Sequence, residues 1–192
     1  GGAQTGTGKT AGFTLPLLQR LAAHANSSVS PARHPVRALI LTPTRELAAQ
    51  VAESVRDYGK HLGLRPGVVF GGVDIVPQIQ MLRAGVEVLV ATPGRLLDHV
   101  QQKTVMLGQV EILVLDEADR MLDMGFMPDI RRIMSSLPRQ RQTHMFSATI
   151  PPEVERVVRD FMREPVRVAI DRPAAPATGI SQVLYPVASD QK

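Results

Sequence analysis

Short apolar runs recur along the chain, and amphipathic stretches separate them. Ala38-Leu39-Ile40-Leu41, Val68-Val69-Phe70, Val86-Glu87-Val88-Leu89-Val90, Ile112-Leu113-Val114-Leu115, Thr143-His144-Met145-Phe146 and Val166-Arg167-Val168-Ala169-Ile170 each have strand length. Most are continuously apolar instead of alternating, which predicts strands buried on both faces and therefore a parallel sheet. Between them, Glu46 to Leu62 spaces Leu47, Val51, Val55, Tyr58 and Leu62 by three and four, the mark of a helix with one apolar face. Thr10 to His24 is a second helical stretch, with a kink expected at Pro16. Val76 to Arg83, Arg95 to Gln102, Asp129 to Leu137 and Glu153 to Met162 are shorter helices. Strand and helix alternate throughout, so the predicted fold class is α/β, a doubly wound and mostly parallel sheet with helices on both faces. Asn26 to Pro35 reads as an exposed polar loop, and Asp171 to Gly179, rich in Pro and Ala, as a linker.

Composition narrows the chemistry. With 192 residues the chain has the size of one domain with a tail. It has no cysteine, which removes disulfides, thiolate metal sites and a cysteine nucleophile, and fits a reducing, cytoplasmic setting. No apolar run approaches membrane-span length, and the first residues do not form a signal peptide, so no membrane partner is expected. A net charge of +4 permits a polyanionic partner without requiring one. His24, His34, His61, His99 and His144 show no metal spacing, and Met121, Met124, Met127 and Met134 read as core packing on a helical pair.

The most specific local signal is Ala3-Gln4-Thr5-Gly6-Thr7-Gly8-Lys9-Thr10. Gly6 and Gly8 let successive backbone N–H groups turn toward phosphate oxygens. The helix that follows adds its positive N-terminal end. Lys9 can reach the β- and γ-phosphates and the Thr10 hydroxyl can ligate Mg²⁺. Against the strict Walker pattern, Ala3 stands where a glycine is expected. Asp116-Glu117 closes the most apolar strand, at the strand end where α/β proteins bind ligands. Asp116 can hold Mg²⁺ there, and Glu117 can orient or deprotonate an attacking water. A phosphate loop followed in this order by a strand-end carboxylate pair points to a nucleoside triphosphatase.

Asp116-Glu117-Ala118-Asp119 is also the name-giving motif of the DEAD-box RNA helicases, and the chain resembles that family's first RecA-like domain over essentially its whole length. Ala3 to Thr10 resembles motif I, where alanine in first place is normal. Pro43-Thr44-Arg45-Glu46-Leu47-Ala48 resembles motif Ia, Gly71-Gly72 the glycine doublet, Thr92-Pro93-Gly94-Arg95 motif Ib and Ser147-Ala148-Thr149 motif III. The tail from Ile180-Ser181-Gln182 to Tyr185-Pro186-Val187 is most similar to the bacterial RhlE-like branch.

The resemblance implies ATP and Mg²⁺ as cofactors and RNA as partner. In that scheme Ala3 to Thr10 cradle the triphosphate, Thr10 and Asp116 bind the metal, and Lys9, Asp116 and Glu117 serve hydrolysis. Ser147 and Thr149 bond with the Asp119 region and couple hydrolysis to strand separation. Thr44, Arg45, Gly72, Thr92, Gly94 and Arg95 line an RNA track that reads backbone, not bases. Taken singly, Thr44 reads first as a helix N-cap and Thr92-Pro93 as a helix start with proline at its first position; the full set of motifs in order reverses that. Residues 1–171 are then a RecA-like P-loop domain, N-terminally truncated, without the strand before motif I and the adenine-reading Q motif. Residues 172–192 lead into a second RecA-like domain, the expected partner. A non-catalytic, nucleotide-gated RNA clamp and a DNA-directed relative are the alternatives.

Overall fold

A computed structural model describes residues 8–168. Ala3, Gln4, Thr5, Gly6 and Thr7 of the phosphate loop lie outside the described residues, as do Ala169, Ile170 and the 171–192 linker and tail.

Five parallel strands form one sheet: β1 (Ala38–Leu41), β2 (Pro66–Val69), β3 (Val88–Ala91), β4 (Ile112–Leu115) and β5 (Gln142–Met145), in the order β2-β3-β1-β4-β5. The three inner strands are buried at every position, as their unbroken apolar runs predict. Strand pleating sends alternate residues to opposite faces. Ala38 and Ile40 pair in register with Val88 and Val90 on one side and with Ile112 and Val114 on the other. Together they pack under α1 (Lys9–Leu21) and α2 (Arg45–Gly59), against Phe13, Leu17, Leu18, Val51 and Val55. Leu39, Leu41, Leu89, Leu113 and Leu115 face the other way. That layer is closed by α3 (Val76–Arg83), α4 (Pro93–Gln101), α5 (Ala118–Asp123), α6 (Met127–Ser135) and α7 (Pro152–Phe161). The result is the doubly wound arrangement the pattern predicts.

Several expectations change. Helix α1 ends at Leu21, ahead of the expected His24, and passes into a short 3₁₀ turn, Ala22–His24. Val166 to Val168 is not a strand: it has no ladder partner among the described residues, and with Val166 90% and Val168 66% exposed its backbone is left to water. Strand β3 starts at Val88, and Glu87 just before it is fully buried with its carboxylate accepting the Arg65 N–H at 3.0 Å. The 26–35 loop is exposed or partly exposed except at His34, which is buried with Nδ1 3.3 Å from Glu87 and Nε2 2.8 Å from the Ser28 carbonyl. On α2, Tyr58 is half-exposed, and Ala48 and Ala52 complete the buried face instead. Met121 and Met134 are core residues as expected, whereas Met124 sits past the end of α5 and is exposed.

Because all strands run the same way, everything after a strand's last residue meets at one edge of the sheet. Thr44 follows β1, Gly71-Gly72 follow β2, Thr92 to Arg95 follow β3, Asp116-Glu117 follow β4 and Ser147 to Thr149 follow β5. At the outer edge, β5 is only partly covered, and Gln142 is exposed.

Candidate nucleotide and nucleic-acid site

Gly8 caps α1 with φ 79° and ψ 10°, a left-handed conformation in which a side chain would be strained. Its carbonyl accepts the Gly12 N–H at 2.9 Å, so the helix starts at Lys9. Lys9 and Thr10 are therefore in the first turn, where free N–H groups and the helix dipole favour an anion.

Asp116 sits at the end of β4, 3% exposed, with its N–H bonded to the Leu41 carbonyl at 2.9 Å. Burial pushes its carboxyl above the ordinary range; the nearby Lys9 charge works in the other direction and Glu117 adds to the rise. Its Oδ1 is buried without a hydrogen-bond partner among the described residues. A buried, unpaired carboxylate oxygen is costly unless a cation meets it. Asp116 therefore fits a divalent ion.

Glu117 adopts φ 55° and ψ 54°, rare for a residue with a side chain. The surroundings impose it. The Phe146 N–H bonds the Leu115 carbonyl at 2.8 Å, and the Ala118 N–H bonds the Phe146 carbonyl at 3.0 Å. The chain must leave β4 and enter α5 within two residues, and Glu117 takes the turn. Its carboxylate lies 3.7 Å from Arg120, which is mostly exposed, so that pair contributes little.

Ser147, 4% exposed, ties β5 to α5. Its hydroxyl accepts the Asp119 N–H at 3.0 Å and donates to the Thr149 carbonyl at 2.6 Å. Asp119 Oδ2 receives both the N–H and the hydroxyl of Thr149, at 2.9 and 3.0 Å. Burial raises the Asp119 pKa, but the Thr149 and Ser147 bonds and the Arg120 N–H outweigh it, and the carboxyl is held below its usual range. The structure thus brings Ser147, Thr149 and Asp119 into one closed ring of bonds.

At the other half of the edge, Thr44 is an N-cap: its Oγ accepts the Leu47 N–H at 3.2 Å. Thr92 opens α4 ahead of Pro93 without capping through its side chain. Arg45 is exposed and bonded to Glu46 at 2.7 Å. Gly72 has φ 78°, and a Cβ there would lie 3.4 Å from Arg45 Nη1, so these two residues are neighbours. No neighbour approaches the Cβ position of Gly94 within 4 Å, which leaves its backbone open. Arg95 is turned inward. Its Nη2 donates to the Val73 carbonyl at 3.0 Å and its Nε is 3.6 Å from Asp98, so much of the guanidinium holds the glycine loop. Pattern reading missed this, and also missed buried Gln78 and His99 beneath the same loop, because a lone polar residue on a helix gives no signal of where it points.

The comparisons agree with this geometry. A family model described as DEAD/DEAH box helicase matches residues 1–157. The DEAD-box ATP-dependent RNA helicase CshA of Bacillus cereus is 43% identical over 192 residues, covering 100% of this chain and 35% of the relative. The ATP-dependent RNA helicase DeaD of Escherichia coli is 45% identical over 188 residues, covering 97% of this chain and 29% of the relative. The chain thus spans about a third of the length of the curated relatives it matches. Among solved structures, the yeast DEAD-box splicing factor Prp28 superposes with a TM-score of 0.79 at 34% identity, covering 85% of this chain and 39% of that one. A DEAD box protein from Methanococcus jannaschii gives 0.75 at 37% identity, covering 85% and 42%. A RecA-like sheet with a buried strand-end aspartate, matched over most of its length, places this chain in the DEAD/DEAH box helicase family.

Proposed function

We propose that this chain is the ATP-binding half of an ATP-dependent RNA helicase, and that its strand-end edge joins an ATP site to an RNA track. The observation that carries the reading is Asp116: a buried carboxylate with an unpaired oxygen, beside the first turn of a helix that carries Lys9 and Thr10. Mg²⁺ would be held by Asp116 and the Thr10 hydroxyl, and when bound it would draw negative charge off the phosphoryl oxygens. Lys9 neutralises the β- and γ-phosphates from the α1 side, with Ala3 to Thr7 completing the cradle. Glu117, at the left-handed turn between β4 and α5, orients the attacking water and takes its proton. The Ser147–Asp119–Thr149 ring is the mechanical link: a change at Glu117 moves the start of α5, and the ring carries that movement to the segment after β5.

Thr44, Arg45, Gly72, Thr92, Gly94 and Arg95 form the RNA track, Arg95 from beneath it by holding the Val73 carbonyl of the glycine loop. Helix starts at Thr44 and Thr92 offer N–H groups to phosphates. Arg45 supplies an exposed positive charge, and the open backbone at Gly94 allows close approach. Such contacts read the phosphate chain and say little about bases. Residues 1–171 make up the RecA-like unit, and 172–192 lead to a second such domain that completes the RNA clamp. The open edge of β5 offers room for a further strand of the same sheet. We place the protein in the cytoplasm, in keeping with its lack of cysteine.

The test is phosphate release from ATP with and without RNA. The chain alone should turn over ATP slowly and unwind no duplex. Joined to a second RecA-like domain it should be stimulated by RNA, and Glu117→Gln should abolish turnover while ATP-dependent RNA binding persists. Full RNA-stimulated turnover by the 192 residues alone would overturn the half-enzyme reading. Persistence of turnover in Glu117→Gln would instead favour another base.

A further inference from the structure

The segment between β2 and α3 has to hold Gly72 next to Arg45, yet it contains two successive glycines. Nothing lies within 4 Å of a Cβ built on Gly71, and Gly72 is left-handed. Such a segment has more backbone freedom to lose than any other pair of residues would give it. One buried side chain restrains it from below. Gln78, 8% exposed, donates through Nε2 to the Phe70 carbonyl at 3.1 Å and reaches the Asp74 carbonyl at 3.5 Å. Those two carbonyls bracket Gly71, Gly72 and Val73, so one amide group fastens both ends of the loop. Arg95 fastens the middle through the Val73 carbonyl.

The amide can do this in one orientation only, because turned over it would present its oxygen to two carbonyl oxygens. His99 fixes that orientation. It is fully buried on α4, and its Nε2 lies 3.3 Å from Gln78 Oε1. An amide oxygen only accepts, so the proton is on Nε2 and Nδ1 is left to accept. The Thr104 hydroxyl is 2.8 Å from Nδ1 and 3.1 Å from the His99 carbonyl, and its single proton, shared between these two acceptors, holds the ring. The chain of bonds from Thr104 through His99 and Gln78 to Phe70 is complete, and none of its members touches the RNA-facing surface.

We propose that Gln78, oriented by His99, is a positioning residue for RNA: it pre-forms the Gly71–Gly72 loop, so that RNA binding does not have to order it. The inference rests on the RNA reading of this edge. Gln78→Glu is the discriminating variant, because it keeps the shape and the acceptor facing His99 but loses both amide donors. Binding of a fluorescein-labelled single-stranded oligouridine should weaken about ten-fold, equivalent to about 1.4 kcal/mol. Amide hydrogen exchange should accelerate at Gly71, Gly72 and Val73, while the amides of β1 and β4 keep their protection. Thr104→Val, a milder change of nearly equal volume, should give a smaller effect of the same kind, about three-fold. Unchanged exchange at Gly71 to Val73 in Gln78→Glu would overturn the inference, as would faster exchange with wild-type oligouridine affinity. Failure of the wild-type chain to bind oligouridine would overturn the RNA reading itself, while the exchange measurement would still decide whether Gln78 holds the loop.

Discussion

Substituting Ser147 by alanine isolates the link between the two strand ends. The hydroxyl is buried and makes two bonds, one accepted from the Asp119 N–H at 3.0 Å and one donated to the Thr149 carbonyl at 2.6 Å. Alanine removes the oxygen and leaves a donor on α5 and an acceptor on the following loop. A buried polar group left without a partner costs about 1–3 kcal/mol. Asp119 and Thr149 are partly exposed, so water can repair part of the loss, which lowers the expectation to about 2 kcal/mol. For a chain of this size that is a fall of roughly 4–8 °C in Tm. Urea unfolding followed by circular dichroism measures it, and m should stay constant because the buried area does not change. Asp119→Asn should also destabilise: an amide oxygen in the place of Oδ2 can still accept both Thr149 donors, but the charge is lost and the amide NH2 then faces the Arg120 N–H that Oδ1 accepts at 3.0 Å. Because the two sites share bonds, the double variant should lose less than the sum of the singles. A Ser147→Ala protein within about 0.5 kcal/mol of wild type, or strict additivity with Asp119→Asn, would refute the closed-ring account.

Three further outcomes follow from individual residues. Asp119, held below its usual pKa, contributes stability that is present above about pH 3.9 and is lost as pH falls through its folded value. Asp119→Asn, already without that contribution at neutral pH, should lose less stability than wild type as pH falls, giving a shallower acid limb. His99 has its pKa lowered by burial and then by the Arg95 charge, and His144 by burial and then by Arg20. Both contributions are present above about pH 6.5 and lost as pH falls through the folded values, so Tm should drop from about pH 7.5 to about pH 5.5, less steeply in His99→Gln. A Cβ on Gly67 would lie 2.9 Å from both Val86 methyls and 3.0 Å from Met81 Sδ, so Gly67→Ala should cost about 1–3 kcal/mol by thermal unfolding, with β2 pushed from β3.

Much of this architecture was legible before any coordinates. Runs such as Ile112 to Leu115 have one physical solution, a strand covered on both faces, and parallel strands carry every strand-end motif to one edge. The order of Lys9-Thr10, Asp116-Glu117 and Ser147 to Thr149 was therefore enough to anticipate a shared site. What pattern could not supply depends on packing between distant residues. The left-handed backbone of Glu117 is imposed by bonds to Phe146, far along the chain. The inward turn of Arg95 depends on the Val73 carbonyl, and the roles of Gln78, His99, His34 and Glu87 depend on which buried carbonyls they meet. Val166 to Val168 shows the opposite error: strand-like residues do not make a strand without a neighbour to pair with.

The central claim is that Asp116 and the start of α1 hold a metal-bound triphosphate. Calorimetric titration with ATP, with and without Mg²⁺, tests it most directly on wild type, Lys9→Ala and Asp116→Asn. The account predicts weak binding by wild type that requires Mg²⁺, loss of binding in Lys9→Ala, and in Asp116→Asn loss of the Mg²⁺ dependence together with a more stable fold, since the unpaired buried charge is gone. Mg²⁺-dependent binding that survives unchanged in Asp116→Asn would contradict it.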